Sequence, residues 1–301
     1  MMVEQTYAPA GPDEAAILAQ FGLDETAFLG SGGEARVFAL DDECVLRIQA
    51  PGDSPPDREL ADLLDSWAGC DIGVELPKVL SQARRGSQNY NIERRLPGVP
   101  LSRWLAETPD PRRRQVALLS LLDVAARLRE LPLPREGFGR VLHNPHRFTS
   151  LPELLAAQIA IGIHYSDGLL AQAVPNLDHQ VSTLLDKLSH RVVTPAFCHV
   201  DLVPANVLVD DDGHLTAVLD VSVHALAADP VMDEVLTLAI LEASPYDGST
   251  ADAAWLEDEL RRRLGADAWL IDAYRRFYAL YYAMDPVLIP WSASLLTRPF
   301  N

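Results

Sequence analysis

An aspartate, an asparagine and a second aspartate occupy positions 201, 206 and 220 of this 301-residue chain, the first in the run His199-Val200-Asp201. Those residue types at that spacing suit the movement of a phosphoryl group. Asp201 could accept the proton of a substrate hydroxyl, while Asn206 and Asp220 offer hard oxygen ligands to a Mg²⁺ ion on nucleotide phosphates. Residues 207–209 and 215–219 are apolar, β-prone runs separated by the acidic, glycine-containing stretch 210–214, which predicts a hairpin. Asn206 enters that hairpin and Asp220 leaves it. Both side chains are therefore expected at its open end, beside the loop that carries Asp201. A plain polar loop before a hairpin would be spelled in a similar way, because Asp, Asn and His also serve local turn hydrogen bonds.

Features upstream favour the chemical reading. Gly30-x-Gly32, followed by Gly33 and the small Ala35, falls in a turn between two predicted strands. Backbone amides of Ser31, Gly32 and Gly33 could then cover a polyphosphate, since glycine allows positive φ and close approach. An ordinary hairpin turn accounts for the same letters, and the pattern is neither a Walker loop nor a dinucleotide fingerprint. Arg47 stands alone among apolar residues of the third strand, and Glu59 in the following helix is its expected partner. A carboxylate-braced cation of this kind suits the non-transferred phosphates, although a structural ion pair or a solvent-reaching arginine fits as well. The strand 92–96, which includes Glu93 and Arg95, could offer its backbone to an adenine edge between two apolar walls.

These residues need two scaffolds. After a short helix at 13–20, strands are expected within 28–49, at 77–80 and at 90–93, with a helix from Asp57 carrying Leu60, Leu63, Leu64 and Trp67 at helical spacing. That makes a small antiparallel-sheet lobe over 1–96. Beyond Pro97-Gly98 the chain is mainly helical. Helices are expected at 101–107, 111–131, 151–163, 178–190, 230–243, 252–264 and 267–284. The second of these carries a stripe through Val116, Leu119, Leu122, Ala126 and Leu128. The fold class is thus α+β and bilobal, with a helical second lobe over 97–301. The basic runs 112–114 and 261–263 are assigned to solvated helix faces.

Composition narrows the partners. With 48% hydrophobic residues the chain can bury a large core, and no apolar run reaches the length of a membrane span. Cys44, Cys70 and Cys198 show neither a disulfide nor a zinc spacing, which fits a reducing cytoplasm. A net charge of −18 argues against nucleic acid as a partner. Residues 151–301 hold 21 acidic and 8 basic side chains, against 22 and 17 in 1–150. An acidic second half would attract a cationic small molecule, and would equally serve solubility.

Glycine turn, strand cation, helical acid, linker, Asp-x4-Asn and Asp, in that order, resemble the aminoglycoside phosphotransferases, the antibiotic-kinase branch of the protein-kinase-like fold. The similarity runs from about residue 25 into the late helices. The stretches 33–38, Val45-Leu46-Arg47-Ile48, Gly137-Phe138-Gly139 and 215–220 are closest in style to hygromycin B phosphotransferases. The resemblance implies a kinase using Mg²⁺ and ATP or GTP to phosphorylate a small hydroxylated molecule, plausibly an aminoglycoside. It assigns Asp201 to the acceptor hydroxyl and Asn206 and Asp220 to the metal. A sugar or amino-alcohol kinase is the alternative enzyme, and a non-catalytic nucleotide binder the alternative of another kind. The chain departs from the family's pattern in Arg47 for the more usual Lys, Val200 for a small residue, and Val221-Ser222 where a bulky aromatic is common. His199 is expected to orient its loop, Asp229 to cap a helix and Asp233 to hydrogen-bond structurally or meet the substrate. Gly137-Phe138-Gly139 and residues 144–148 are expected either to border the acceptor or to form a surface connection.

Overall fold

The computed structural model describes residues 11–32, 35–52, 55–244, 246 and 248–300. Alternating burial builds one five-stranded antiparallel sheet from β1 (Phe28–Ser31), β2 (Ala35–Ala39), β3 (Cys44–Gln49), β4 (Val79–Arg85) and β5 (Gln88–Arg94), in the order β1-β2-β3-β5-β4. One face, through Phe38, Leu46, Ile48 and Tyr90, packs on Ile17 and Leu18 of α1 (Pro12–Gln20). Successive side chains of a strand point to opposite faces, so the other face carries Arg47 and Gln49. Asn91 of β5 lies directly across from Arg47. That face is polar, and it looks toward the second lobe.

The polarity explains where the next helix goes. α2 (Arg58–Ser66) starts at Asp57, whose carboxylate accepts the Leu60 N–H at 3.0 Å. Its apolar side has little to gain from the amide-rich sheet face. Leu63, Leu64 and Trp67 join Ile72 in a cluster with Leu101, Trp104, Phe197 and Val207 instead. Glu75 then makes a one-residue parallel bridge to Ala217. The division expected at residue 96 therefore follows the sheet but not α2, which is packed into the second lobe.

The chain crosses at Pro97-Gly98. Gly98 has φ +113°, and a Cβ there would lie 2.6 Å from Thr216 Oγ1 and 2.7 Å from the Val209 carbonyl oxygen, so only glycine fits. Thr216 Oγ1 also donates to the Pro97 carbonyl at 2.5 Å, fastening the linker to the hairpin behind the active loop. β6 (Val99–Pro100) joins two later strands, β9 (Val207–Val209) and β10 (Leu215–Val218), in the order β10-β9-β6. A second small sheet has the order β7-β11-β8, from β7 (Gly139–Arg140), β8 (Ala196–Cys198) and β11 (Leu226–Ala228).

Helices form the rest: α3 (Leu101–Glu107), α4 (Pro111–Leu128), α5 (Leu151–Tyr165), α6 (Leu169–Ala173), α7 (Leu177–Leu188), α8 (Met232–Ala243), α9 (Ser249–Leu264), α10 (Trp269–Tyr281) and α11 (Ile289–Leu296). α8 is buried on almost every side and forms the axis of this lobe. Two expectations on α4 are corrected. Its buried side runs through Ala117, Leu118, Leu121, Leu122, Ala125 and Leu128, while Val116 is exposed, because the helix packs against α8 and α9 together. Arg114 shares that buried side and is not solvated. It pairs with Asp252 of α9 and donates to the Thr108 carbonyl at 3.0 Å, so its charge is fully partnered. Among the described residues no helix is long and apolar enough to cross a membrane.

Candidate active site

The hairpin places its two ends as the spacing implies. Val207 pairs with Val218, Leu208 with Ala217 and Val209 with Leu215, and the ladder extends by one bond from the Leu219 N–H to the Asn206 carbonyl at 2.7 Å. Asn206 and Asp220 thus leave the hairpin side by side. At the closed end the Asp210 carboxylate accepts the N–H groups of Asp212 and His214 at 3.0 and 2.9 Å. Asn206 Nδ2 donates to the Asp201 carbonyl at 3.1 Å and to Asp201 Oδ2 at 3.3 Å, which ties the loop to the hairpin. With its nitrogen so engaged, the amide keeps its oxygen as the group that can accept or ligate.

The loop is held from beneath. Asp233, only 2% exposed, accepts the His199 N–H at 2.6 Å and the Val200 N–H at 2.8 Å. His199 Nε2 lies 2.9 Å from the Leu219 carbonyl and must carry its proton there, since a carbonyl can only accept. His199 therefore orients the loop, and Asp233 bonds structurally, as the sequence suggested. Asp229 is likewise structural, accepting from Arg191 at 2.7 Å, Tyr274 at 2.6 Å and the Val231 N–H at 3.1 Å.

Two residues of the site have left-handed backbones: Val200 at φ +69° and Asp220 at φ +58°. Aspartate tolerates that region, but a β-branched residue there is strained by roughly 1–3 kcal/mol. The isopropyl group does not crowd the active face, because it is wholly buried in the core of the second lobe. Burial of about 1.5–3 kcal/mol offsets the strain. Val200→Ala discards methyl contacts yet keeps most of the strain, whereas Val200→Gly removes the strain entirely. Denaturant unfolding is expected to find the glycine variant at least as stable as the alanine variant, the reverse of the usual order in a core.

Electrostatics set the two aspartates apart. Burial pushes the Asp201 carboxyl above its ordinary range; His199 and His224 oppose this, and Asp220 adds to it. Burial acts on Asp220 too, but Arg47 outweighs it and holds that carboxyl below the usual value. Arg47 Nη2 lies 2.7 Å from Asp220 Oδ1, a contact that joins the sheet lobe to the hairpin across the cleft. One carboxylate and one amide oxygen are hard donors that fit Mg²⁺, which is commonly held by one or two protein oxygens plus substrate phosphates. Among the described residues no cluster of three His, Cys, Asp or Glu could hold a metal by itself.

A family model described as the phosphotransferase enzyme family matches residues 25–280. The chain belongs to that family. It is a small-molecule kinase by membership, with the bilobal kinase-like fold. An aminoglycoside phosphotransferase APH(4)-Ia variant, solved as a ternary complex with AMP-PNP and hygromycin B, is 21% identical, with TM-score 0.67 over 95% of this chain and 97% of that one. APH(2″)-IIa, solved with gentamicin, is 12% identical, with TM-score 0.58 over 96% and 97%. Another APH(2″) enzyme, solved with GDP and kanamycin, is 18% identical, with TM-score 0.56 over 94% and 96%. A search of curated proteins finds no match.

Within this kinase the expected nucleotide residues fare unevenly. Arg47 faces the cleft, beside a cavity of about 680 Å³ that Gln49, Asn89, Arg58, Glu59 and His143 also line. The expected Arg47–Glu59 pair is not formed. Glu59 lies in the first turn of α2, where Arg135 reaches it at 3.2 Å and His143 donates its backbone N–H at 3.0 Å. Asp57 takes His143 Nε2 at 2.8 Å, so the stretch after Gly137-Phe138-Gly139 grips α2. Glu93 sits inside the ladder, flanked by Val45 and Val79, and the Arg95 N–H is spent on the Glu43 carbonyl at 2.7 Å. Neither N–H is open to a base. Ser31 ends β1, and the Gly32 N–H closes the turn onto the Ala35 carbonyl at 3.0 Å. Neither Gly30 nor Gly32 has positive φ, and a Cβ added at either would meet open space, so the expected need for left-handed backbone is not met here. Gly33 lies outside the described residues.

Sequence reasoning missed an aromatic group beside Asp201. His224 Nδ1 lies 2.8 Å from the Tyr281 hydroxyl, and the His224 and Tyr282 rings are 5.6 Å apart. The only sequence sign was the pair Tyr281-Tyr282 at the end of a helix, indistinguishable there from core residues.

Proposed function

We propose that the protein transfers the γ-phosphoryl group of ATP or GTP to a hydroxyl of a small molecule, with a cationic aminoglycoside as the favoured acceptor class. The observation that carries this reading is the meeting of Asp201, Asn206 and Asp220 at one hairpin end with Arg47 reaching down from the opposite lobe. Asp201 receives the acceptor hydroxyl as a hydrogen-bond donor and takes its proton. The acceptor oxygen bonds to the γ-phosphorus as the bond to the nucleoside diphosphate breaks. Because that transition state is loose, Asp201 acts more by aiming the hydroxyl than by strong basicity. Asn206 and Asp220 would hold Mg²⁺, which when bound neutralises phosphate charge. Arg47 clamps the non-transferred phosphates, and its planar fork serves where relatives use lysine. Ser31 and Gly32 bring the turn backbone over the phosphates.

Nucleotide use is supported by AMP-PNP in one structural neighbour and GDP in another. The acceptor class is supported by hygromycin B and kanamycin in those same neighbours, and by the acidic surplus of residues 151–301. The test is product formation with ATP and with GTP, with and without Mg²⁺, across aminoglycosides, macrolides, sugars and amino alcohols. Phosphorylated aminoglycoside formed only with Mg²⁺ is expected. Turnover confined to a sugar or amino alcohol would displace the antibiotic reading, and no turnover with any acceptor would remove the kinase reading itself.

A further inference from the structure

Tyr90 of β5 packs toward α1 with Leu46 and Ile48, so Asn89, Asn91 and Glu93 lie on the opposite face of the sheet, with Val45, Arg47 and Gln49. Glu93 stands across from Val45 on one side and Val79 on the other. It is two residues, about 6.8 Å, nearer the Pro97-Gly98 linker than the Arg47–Asn91 pair. Asn91 Nδ2 donates to Glu93 Oε1 at 3.1 Å, which fixes the carboxylate. The arginines of these two strands are used elsewhere, Arg47 on Asp220 at 2.7 Å and Arg94 on Glu75 at 2.6 Å. Glu93 is thus a half-buried carboxylate on the cleft face, oriented by a neutral amide, with no cation paired to it among the described residues. Such a charge costs the fold free energy, which a ligand that donates to it would offset.

The face around Glu93 indicates which part of a nucleotide it meets. Arg47 marks the phosphate end. Away from the linker, Gln49 and Asn89 line the polar cavity beside Arg47. Toward the linker, Val45 and Val79 supply the apolar surface that a base requires. Main-chain donors just past Glu93 are spent, the Arg94 N–H on the Lys78 carbonyl at 2.9 Å and the Arg95 N–H on the Glu43 carbonyl at 2.7 Å. This end of β5 therefore meets a base with an acceptor.

The two purines differ there. Guanine presents two adjacent donors on its Watson–Crick edge, N1–H and the 2-amino group. Adenine presents one donor, the 6-amino group, beside the bare lone pair of N1. A carboxylate only accepts, and each of its oxygens has room for a second bond, so Oε1 stays available despite Asn91. We propose that Glu93 selects guanine, its carboxylate taking N1–H and the 2-amino group together, which makes GTP the preferred phosphoryl donor. The inference rests on the phosphotransferase reading above and decides between the two nucleotides it leaves open.

The experiment titrates the full chain calorimetrically with the Mg²⁺ complexes of GTP, ITP and ATP, whose phosphates are identical. Hypoxanthine in ITP keeps N1–H and lacks the 2-amino group. Each hydrogen bond to the carboxylate is worth about tenfold, so GTP is expected to bind about tenfold tighter than ITP and about 100-fold tighter than ATP. In Glu93→Gln, Asn91 holds the new side-chain oxygen and leaves its NH₂ group facing the base, where it opposes guanine N1–H and suits adenine N1. GTP affinity should fall at least tenfold and the preference for GTP should vanish or turn to ATP. Glu93→Ala, which brings no new donor, should abolish the preference as well. Equal affinities in wild type, or ATP bound tightest, overturn the proposal and leave the kinase reading standing. A GTP preference that survives in both variants also overturns it, by assigning selection to another group. If no nucleotide binds, the phosphotransferase reading falls and the proposal with it.

Discussion

Asp201→Asn is expected to lower kcat by about 10²–10⁴-fold while leaving nucleotide affinity in place. The substitution keeps the size and planarity of the side chain and leaves the main-chain bond from Asn206 to the residue 201 carbonyl intact. It removes the one group at this position that can accept a proton from an incoming hydroxyl. It also removes a negative charge from a site meant for phosphates, so nucleotide binding has no electrostatic reason to weaken. Calorimetric titration of the nucleotide beside a product assay separates these effects. A variant that binds nucleotide and still phosphorylates at the wild-type rate would show that Asp201 neither aims nor deprotonates the acceptor. Fold stability is a third check. Burial pushes the Asp201 carboxyl upward, so a neutral amide should be tolerated at least as well as the charged group.

What could be read from the sequence depended on how local its cause was. The 207–218 hairpin was legible because its apolar runs and acidic turn lie within a dozen residues, and its register then fixed the neighbourhood of Asn206 and Asp220. Long helices such as α4 and α10 were legible from periodicity. α6 has five residues, too few for a period, and α11 carries Pro290 in its first turn, where proline reads as a break but is tolerated. β6, β7, β8 and β11 have two or three residues each and no room for alternation. Partners distant in sequence were the least legible. Arg47 was recognised as a cation needing a carboxylate, but the acid expected from the following helix, Glu59, was taken up by residues 135 and 143, and a partner came from position 220. Arg114 was misjudged for a related reason. A run of three arginines looks solvated until one knows that the third points the same way as Ala117 and Leu118. The aromatic contacts of Tyr282 with Tyr278 and His224 gave no signal at all, since a tyrosine at the end of a helix is spelled like any core residue.

Asp220→Ala is expected to act on metal-dependent binding rather than on the fold. In the structure its carboxylate holds Arg47, yet both side chains are partly exposed, 24% for Arg47 and 36% for Asp220. A pair so placed contributes only about 0–1 kcal/mol to stability, so thermal unfolding should change little. The functional loss is larger. Two protein oxygens are proposed to share the metal, and removing even a supporting partner of a metal site costs about 10–100-fold in affinity. Loss of a direct carboxylate ligand should cost at least that in nucleotide affinity measured with Mg²⁺, and kcat should fall with it. Without Mg²⁺ the sign changes. Alanine removes a negative charge facing the phosphates and releases Arg47 toward them, so affinity for the metal-free nucleotide should hold or rise. Titrating ATP with Mg²⁺ and with a chelator, on wild type and variant, gives both arms. A uniform loss of affinity in the two conditions would mean that Asp220 supports the shape of the cleft rather than the metal. An unchanged affinity in both would leave Asn206 without its partner and remove the metal from this end of the hairpin.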